Sequence, residues 1–267
     1  LKNSGYCYEV FSFIYFFHMP AFLFLSGLLT KKNELNFSNK IIKYIFLYFL
    51  FNFSFAIIDN FLNGTEISLT IPYYSMWFLL CLIVYKLLIH FCDNFLLLPF
   101  SIILSVCSGF CNLDNTFAIS RIVAFLPFFL IGYFCNECNL LEKKDRIYRK
   151  SLPLNLLLSF SSILFIIFFT LKTNFSLNFY TIRPFESQTE IIYRILFIFV
   201  NILFFVSIFL IIPNKKMLYF TNIGKNSLNI YLLHRFITLF LEKVFIEDKI
   251  RLIISLFLSI IICFVLS

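Results

Sequence analysis

The chain consists of long apolar runs separated by short polar or charged stretches. Residues 191–213, for example, are predominantly apolar for about twenty positions, which is the length that crosses a bilayer. A strand of a membrane β-barrel would instead alternate apolar and polar residues over about ten positions. The pattern therefore predicts an all-α protein, a polytopic bundle of transmembrane helices.

Nine runs have the length and hydropathy expected of a membrane span. They are residues 10–29, 41–62, 73–91, 95–110, 117–134, 152–171, 191–212, 227–245 and 250–266. The fourth is the weakest, because Pro99 lies near its start. No linker or low-complexity stretch separates the runs, so residues 1–267 are predicted to form a single domain.

Lysine and arginine cluster in three connections between these runs, after the first, the fifth and the seventh. The three connections fall on one side of an alternating topology. Cytoplasmic loops are enriched in basic residues, so the pattern predicts a multi-pass protein of the plasma membrane with these loops in the cytoplasm. Leu1 is then outside, on the side where Glu66, Asp114, Glu247 and Asp248 lie.

Composition agrees with a membrane protein and excludes several other classes. Hydrophobic residues make up 61% of the chain and charged residues 13%, against about a quarter charged in soluble domains. The net charge of +8 is explained by the basic loops, so no nucleic-acid partner is expected. The eight cysteines lie mostly in or beside apolar runs, and the single C-x-x-C of Cys135 and Cys138 is weak evidence for a metal site. We predict no metal and no bound cofactor.

A histidine stands inside the first apolar run, where residues 17–27 read FHMPAFLFLSG. Burying the His18 ring in a membrane is costly, so a functional role is the default hypothesis, although a packing role through a hydrogen bond to a neighbouring helix stays open. Pro20 kinks the helix beside it, while Ser26 and Gly27 permit close approach of another helix.

This stretch resembles the FHMPLFFFLSG signature of the acyltransferase 3 family, the multi-span membrane O-acyltransferases, and especially its fucose 4-O-acetylase-like and exopolysaccharide-modifying branch. Three further segments match the family's elements in the right order. They are MWFLL at residues 76–80, Arg121 with FLPFFLIGY at 125–133, and IGKNSLNIYLLH at 223–234. The resemblance implies a bundle of about ten helices and acetyl transfer from acetyl-CoA to a sugar hydroxyl.

Two departures from the family pattern affect the expected site. The family opens with a helix that carries an essential histidine, and its absence here implies that the main catalytic histidine precedes Leu1. The family also carries an arginine-rich stretch where this chain has Lys40 and Lys43. Lysine meets phosphate as a point charge, so the resemblance implies that these two lysines contact acetyl-CoA without bidentate geometry.

The chemistry implied by the resemblance assigns further residues. Acyl transfer needs a general base and a group that stabilises the oxyanion. His18 and His234 lie near the middle of their spans and are predicted to take part in proton transfer, with Arg121 as the oxyanion or substrate contact. Trp77 and Tyr74 stand at a predicted boundary where a sugar could stack. Alternatives are a snorkelling Arg121, an aromatic belt, and a packing role for His234.

The sequence thus favours a membrane O-acyltransferase that moves an acetyl group from acetyl-CoA to a cell-surface polysaccharide or its lipid-linked precursor. A transporter or flippase for such a sugar is the alternative, and an inactive fragment of the enzyme is a third possibility. Transporters commonly show internal repeats and helices broken by Gly and Pro at mid-membrane. The sequence has no repeat, glycine is scarce, and only Pro20 and Pro127 interrupt spans well inside or near their ends.

Overall fold

The computed structural model describes residues 5–32, 36–111, 116–138, 140–172, 184–212, 224 and 226–244. Within these ranges the chain is helical and contains no strand, which confirms the all-α prediction for this part. The α-helices are α1 (Gly5–Leu28), α2 (Phe37–Asn63), α3 (Trp77–Phe91), α4 (Leu97–Cys107), α5 (Ile119–Glu137), α6 (Leu140–Lys172), α7 (Gln188–Ile211) and α8 (Ser227–Val244).

Four helical stretches are long and apolar enough to cross a membrane, namely Phe37–Asn63, Thr116–Glu137, Ser151–Thr170 and Gln188–Ile211. Three others, Ser12–Leu28, Trp77–Phe91 and Leu97–Phe110, are apolar but shorter. Eight of the predicted spans each overlap one α-helix, and the ninth, residues 250–266, lies outside the described residues. The count of nine crossings therefore stays a prediction.

Contacts between Cα atoms divide the chain into two compact units. The first unit comprises Leu1–Val10 and Asn214–Ser267, and its described part includes α8. The second comprises Phe11–Pro213 and contains α2 to α7 with most of α1. The prediction of a single domain stays a prediction.

The second unit is held together by small and polar residues at its helix crossings. Helices α1 and α5 cross at Gly27 and Gly132, where a Cβ atom on either glycine would overlap the backbone of the other helix. Helices α6 and α7 pack along each other, and the Ser159 and Ser207 hydroxyls are 2.9 Å apart. Such close approach supplies the van der Waals contact that holds membrane helices together.

Paired contacts show that α1, α3 and α7 run in one direction. The pairs Phe22 with Phe78 and Thr30 with Lys86 keep one spacing along α1 and α3. The pairs Phe16 with Phe197 and Phe24 with Phe205 do the same for α1 and α7. Helix α5 follows this direction too, because its start contacts the start of α3 and its last turn contacts the end of α1. We call the end where these helices begin the upper end and the other the lower end.

Helices α3 and α4 are short, with 15 and 11 residues, or about 22 and 16 Å, whereas the 27 residues of α2 span about 40 Å. The loop from Gly64 to Met76 fills the difference by folding back along α2. Asn52, in the middle of α2, accepts the Tyr73 N–H at 2.8 Å and donates to the Ile71 carbonyl at 3.4 Å. Helix α3 consequently begins near mid-depth of α2.

Helix bounds differ from the sequence prediction in two places for identifiable reasons. The third span was expected from Tyr73, but α3 begins at Trp77 because the Tyr73 N–H is engaged by Asn52 and Tyr74 has a φ of 50°. The sixth helix begins at Leu140, well before the predicted residue 152, because the basic stretch ahead of the apolar run is also helical.

Candidate active site

His18 lies on the α1 face that also carries the exposed Ile14, Phe22 and Leu25, and its own side chain is half-buried. Its Nδ1 is 3.1 Å from the Ile14 carbonyl oxygen one turn earlier. A hydrogen bond there requires the proton on Nδ1, which leaves Nε2 as the basic nitrogen of the neutral ring. This tautomer is compatible with a general base, which needs one unprotonated ring nitrogen.

Arg121 and Trp77, predicted separately as site residues, are in contact. The guanidinium carbon of Arg121 lies 5.2 Å from the centroid of the Trp77 ring, a cation–π arrangement. The same ring packs against Phe125 at 5.4 Å and is 6% exposed. Trp77 therefore orients the guanidinium, and the prediction that a sugar stacks on this ring stays a prediction.

The contact between α1 and α3 relates His18 to this pair. Phe22, one helical turn below His18, packs against Phe78 with ring centroids 6.3 Å apart. Phe78 is the second residue of α3, so His18, one turn up α1 from this contact, lies about one turn above the start of α3. His18 is therefore within about one helical turn of height of the contacting pair Trp77 and Arg121.

Tyr74 is tied to α2 rather than to this level. Its hydroxyl donates to Asp59 Oδ1 at 2.5 Å, and its ring packs against Phe55 at 5.6 Å. Asp59 also accepts hydrogen bonds from Asn63 and Thr65 at 2.8 and 2.6 Å. Tyr74 therefore fastens the loop before α3, and its role in substrate binding stays a prediction.

Lys40 and Lys43 are exposed in the first two turns of α2. The Phe37 ring, at the start of α2, stacks on His90 at 4.1 Å and joins this end of α2 to the last turn of α3. The two lysines therefore lie at the lower end of the second unit. Contact with acetyl-CoA at these residues stays a prediction.

The lower end also carries an ion pair between Lys32 Nζ and Asp93 Oδ2 at 2.5 Å. The hydrogen bond and the charge of Asp93 raise the pKa of Lys32 above its usual value. This pair connects the segment after α1 to the segment after α3.

His234 belongs to the first unit, on α8. Its Nδ1 is 2.6 Å from the Tyr231 carbonyl oxygen, and the neighbouring Arg235 donates to Thr238 at 3.1 Å. Both contacts lie within α8 and decide neither alternative. The packing role and the part in proton transfer both stay predictions for His234.

Two buried cations escaped the sequence prediction. Lys86 in α3 is 8% exposed and donates to the Thr30 hydroxyl at 3.2 Å, and Arg194 in α7 is 2% exposed. The signal was a charged residue inside an apolar run, which marks a functional candidate in a membrane protein. Across the described part of the chain no three His, Cys, Asp or Glu side chains come together as a metal site would require.

Comparison with known families gives one match. A family model of the acyltransferase domain matches residues 3–267, which is nearly the entire chain. No curated protein and no solved structure gives a significant match. The match and the apolar helices together establish a membrane acyltransferase in the general sense. The chain belongs to the acyltransferase 3 family, the family that its ordered motifs resemble.

Proposed function

We propose that this protein transfers an acetyl group from acetyl-CoA to a hydroxyl of a cell-surface polysaccharide or its lipid-linked precursor. The observation that carries the proposal is that His18 lies within about one helical turn of height of the Trp77–Arg121 pair in a chain of this family. The ordered motifs support the fucose 4-O-acetylase-like and exopolysaccharide-modifying branch.

The proposed reaction uses these residues in complementary roles. Nε2 of His18 takes part in removing the proton of the acceptor hydroxyl, whose oxygen attacks the thioester carbonyl carbon. The guanidinium of Arg121, oriented by Trp77, stabilises the negative charge that develops on the carbonyl oxygen. The carbon–sulfur bond then breaks, and the coenzyme A thiolate leaves and recovers a proton.

The lower end is the proposed donor side. Lys40 and Lys43 are exposed there, and by the distribution of basic loops this end faces the cytoplasm, where acetyl-CoA is available. The acceptor approaches the upper end in this scheme, which places the protein in the plasma membrane as a multi-pass enzyme.

The test is acetyl transfer in membranes that express the whole gene. Radiolabelled acetyl-CoA is supplied, and label in surface glycan is compared between wild type and His18→Ala at equal protein level. We expect the variant to lose roughly 100-fold or more of the transfer rate, the scale of a lost acid–base group. His90→Ala is the matched control, because that ring is exposed at the lower end, where it contacts Phe37 and Phe91.

Two results would overturn the proposal. A well-expressed wild type that places no label on glycan would remove the enzyme interpretation and favour the sugar transporter. Wild-type transfer that survives unchanged in His18→Ala would keep the acyltransferase and remove His18 from its site.

A further inference from the structure

Arg194 is a buried charge in the upper half of α7. It is the seventh residue of this 24-residue helix, about 9 Å below the helix start, and it is 2% exposed. It shares a face with the buried Phe197, Ile198 and Asn201. A charge inside the bilayer is costly and is retained where function requires it.

Aromatic contacts place this residue just above a junction of three helices. The Phe197 ring, one turn below Arg194, lies 5.0 Å from Phe16 of α1 and 5.8 Å from Phe128 of α5. One turn above Phe16 on α1 is Ser12, and because α1 and α7 run in the same direction, Ser12 and Arg194 stand at one level.

Three buried polar atoms lie along the three helices of this junction, spread over about 18 Å of height. Ser12 Oγ on α1, Ser120 Oγ on α5 and Asn201 Oδ1 on α7 form no hydrogen bond within the described part of the chain. Their side chains are 2%, 0% and 0% exposed. Ser120 lies two turns above Phe128, and Asn201 lies one turn below Phe197.

A buried polar atom without a hydrogen bond costs about 1–3 kcal/mol, so three of them around one junction indicate a bound polar molecule as their partner. The Asn201 oxygen accepts hydrogen bonds only, whereas a serine hydroxyl donates as well. Together with a guanidinium, the set matches an oxyanion attached to a molecule that also carries hydroxyl groups.

We propose that the α1–α5–α7 junction binds an anionic group of the acyl acceptor, a phosphate or carboxylate borne by its sugar. Arg194 supplies the counter-charge, with the two-point geometry that guanidinium offers to an oxyanion. Ser12, Ser120 and Asn201 bind the remaining oxygens and hydroxyls. The proposal rests on the proposed function, and it restricts the acceptor to an acidic or phosphorylated glycan.

The junction also lies close to the level of the candidate active site. Arg121 follows Ser120 directly, and His18 follows Phe16 by two residues. An anion held by Arg194 would thus fix an acceptor whose hydroxyl reaches the level of His18. This arrangement uses Arg194 for binding and leaves Arg121 for the reacting carbonyl.

The test measures binding to the purified full-length protein in neutral detergent. The probes are decyl glucuronide, decyl phosphate and decyl glucoside, which share one alkyl chain and differ in charge and in the sugar. For wild type we expect the glucuronide to bind roughly 10- to 100-fold more tightly than the glucoside, from charge-assisted hydrogen bonds. Arg194→Gln should abolish this preference, and Arg194→Lys should retain part of it.

Lys86→Met is the matched control, since it removes another buried cation from α3 and should leave the preference intact. Tight binding of decyl phosphate as well would assign the site to oxyanions in general, and weak binding would assign it to acidic sugars. Equal affinity of wild type for the glucuronide and the glucoside would overturn the proposal, even if Arg194→Gln did not fold. A preference that persists in Arg194→Gln would overturn it too. The assay needs no acyl transfer, so its outcome is independent of the proposed reaction.

Discussion

The lower end of the second unit and the α1–α5–α7 junction are built differently. At the lower end, the Thr30 hydroxyl accepts a hydrogen bond from Lys86 at 3.2 Å and donates one to the Ser26 carbonyl at 2.8 Å. The Thr30 backbone carbonyl accepts a hydrogen bond from the Asn136 side-chain amide at 3.2 Å. Along the α1–α5–α7 junction, buried Ser12 Oγ, Ser120 Oγ and Asn201 Oδ1 make no such bonds to described residues. The contacts of Thr30 therefore fix the helices relative to one another at the lower end, while the junction holds the groups of the proposed binding site.

The largest effect on stability is expected at the crossing of α1 and α5, where the two backbones approach most closely. In Gly27→Val the Cβ atom would overlap the backbone carbonyl oxygen of Phe129. Because the backbone fixes the positions of both atoms, no side-chain rotamer relieves the overlap. We expect a loss of about 3 kcal/mol or more, seen as lost folded protein in detergent. Gly224→Ala is the control, because a Cβ there meets open space. Normal stability of Gly27→Val would show that the α1–α5 crossing is not as close as described.

Next in size is the loss of a cation at the candidate site. Arg121→Gln removes the guanidinium that lies over Trp77, and we expect acyl transfer to fall about 100-fold, as for a lost oxyanion contact. The unfolding temperature should change little, because a cation–π pair contributes only about 0.5–2 kcal/mol. A fall in stability that accounts for the lost transfer would mean that Arg121 is structural.

A smaller effect is expected from removing one hydroxyl at the lower end. Thr30→Val keeps the shape of the side chain but removes the acceptor of the Lys86 hydrogen bond, at a cost of about 1–3 kcal/mol. Thr30→Ser retains the hydroxyl and should stay within about 1 kcal/mol of wild type. Chemical unfolding of the three proteins in one detergent measures the difference, and equal losses in both variants would locate the effect in the methyl group instead.

The smallest effect concerns the ion pair of Lys32 with Asp93. Because the pKa of Lys32 is raised in the folded protein, the pair contributes fully below the usual lysine value of 10.5 and is lost as the pH rises through the raised value. Asp93→Asn should unfold at a slightly lower temperature than wild type at neutral pH, and the two should converge at strongly alkaline pH. A difference in unfolding temperature that stays constant across this pH range would assign the effect of Asp93→Asn to packing.

Much of the fold was predictable because hydropathy alone marks a helix that crosses a membrane. The second and seventh predicted spans, 41–62 and 191–212, coincide with α2 and α7 within a few residues. Helix ends were less predictable where a tertiary contact decides them. Tyr73 is apolar enough to begin a span, yet the hydrogen bond that its N–H donates to Asn52, 21 residues earlier in the sequence, keeps it in a loop.

The residues proposed for the candidate site can be picked out in the sequence, but their arrangement cannot. His18 and Arg121 stand out as polar groups in apolar surroundings, whereas the stacking of Arg121 on Trp77 depends on how α3 and α5 pair. Arg194 was not singled out in the predicted span 191–212, because a single charge barely lowers the mean hydropathy of twenty residues. Its burial depends on how the neighbouring helices pack against α7, which the sequence pattern does not show.

The shortness of α3 has a consequence for transport across the bilayer. A hydrocarbon core is about 30 Å thick, but the 15 residues of α3 span only about 22 Å, and the site lies at the upper end of that helix. In the proposed reaction, a thioester entering from the lower face would therefore travel only about 22 Å along α3 to reach the candidate site, while the loop that fills the remaining depth stands between this site and the upper face.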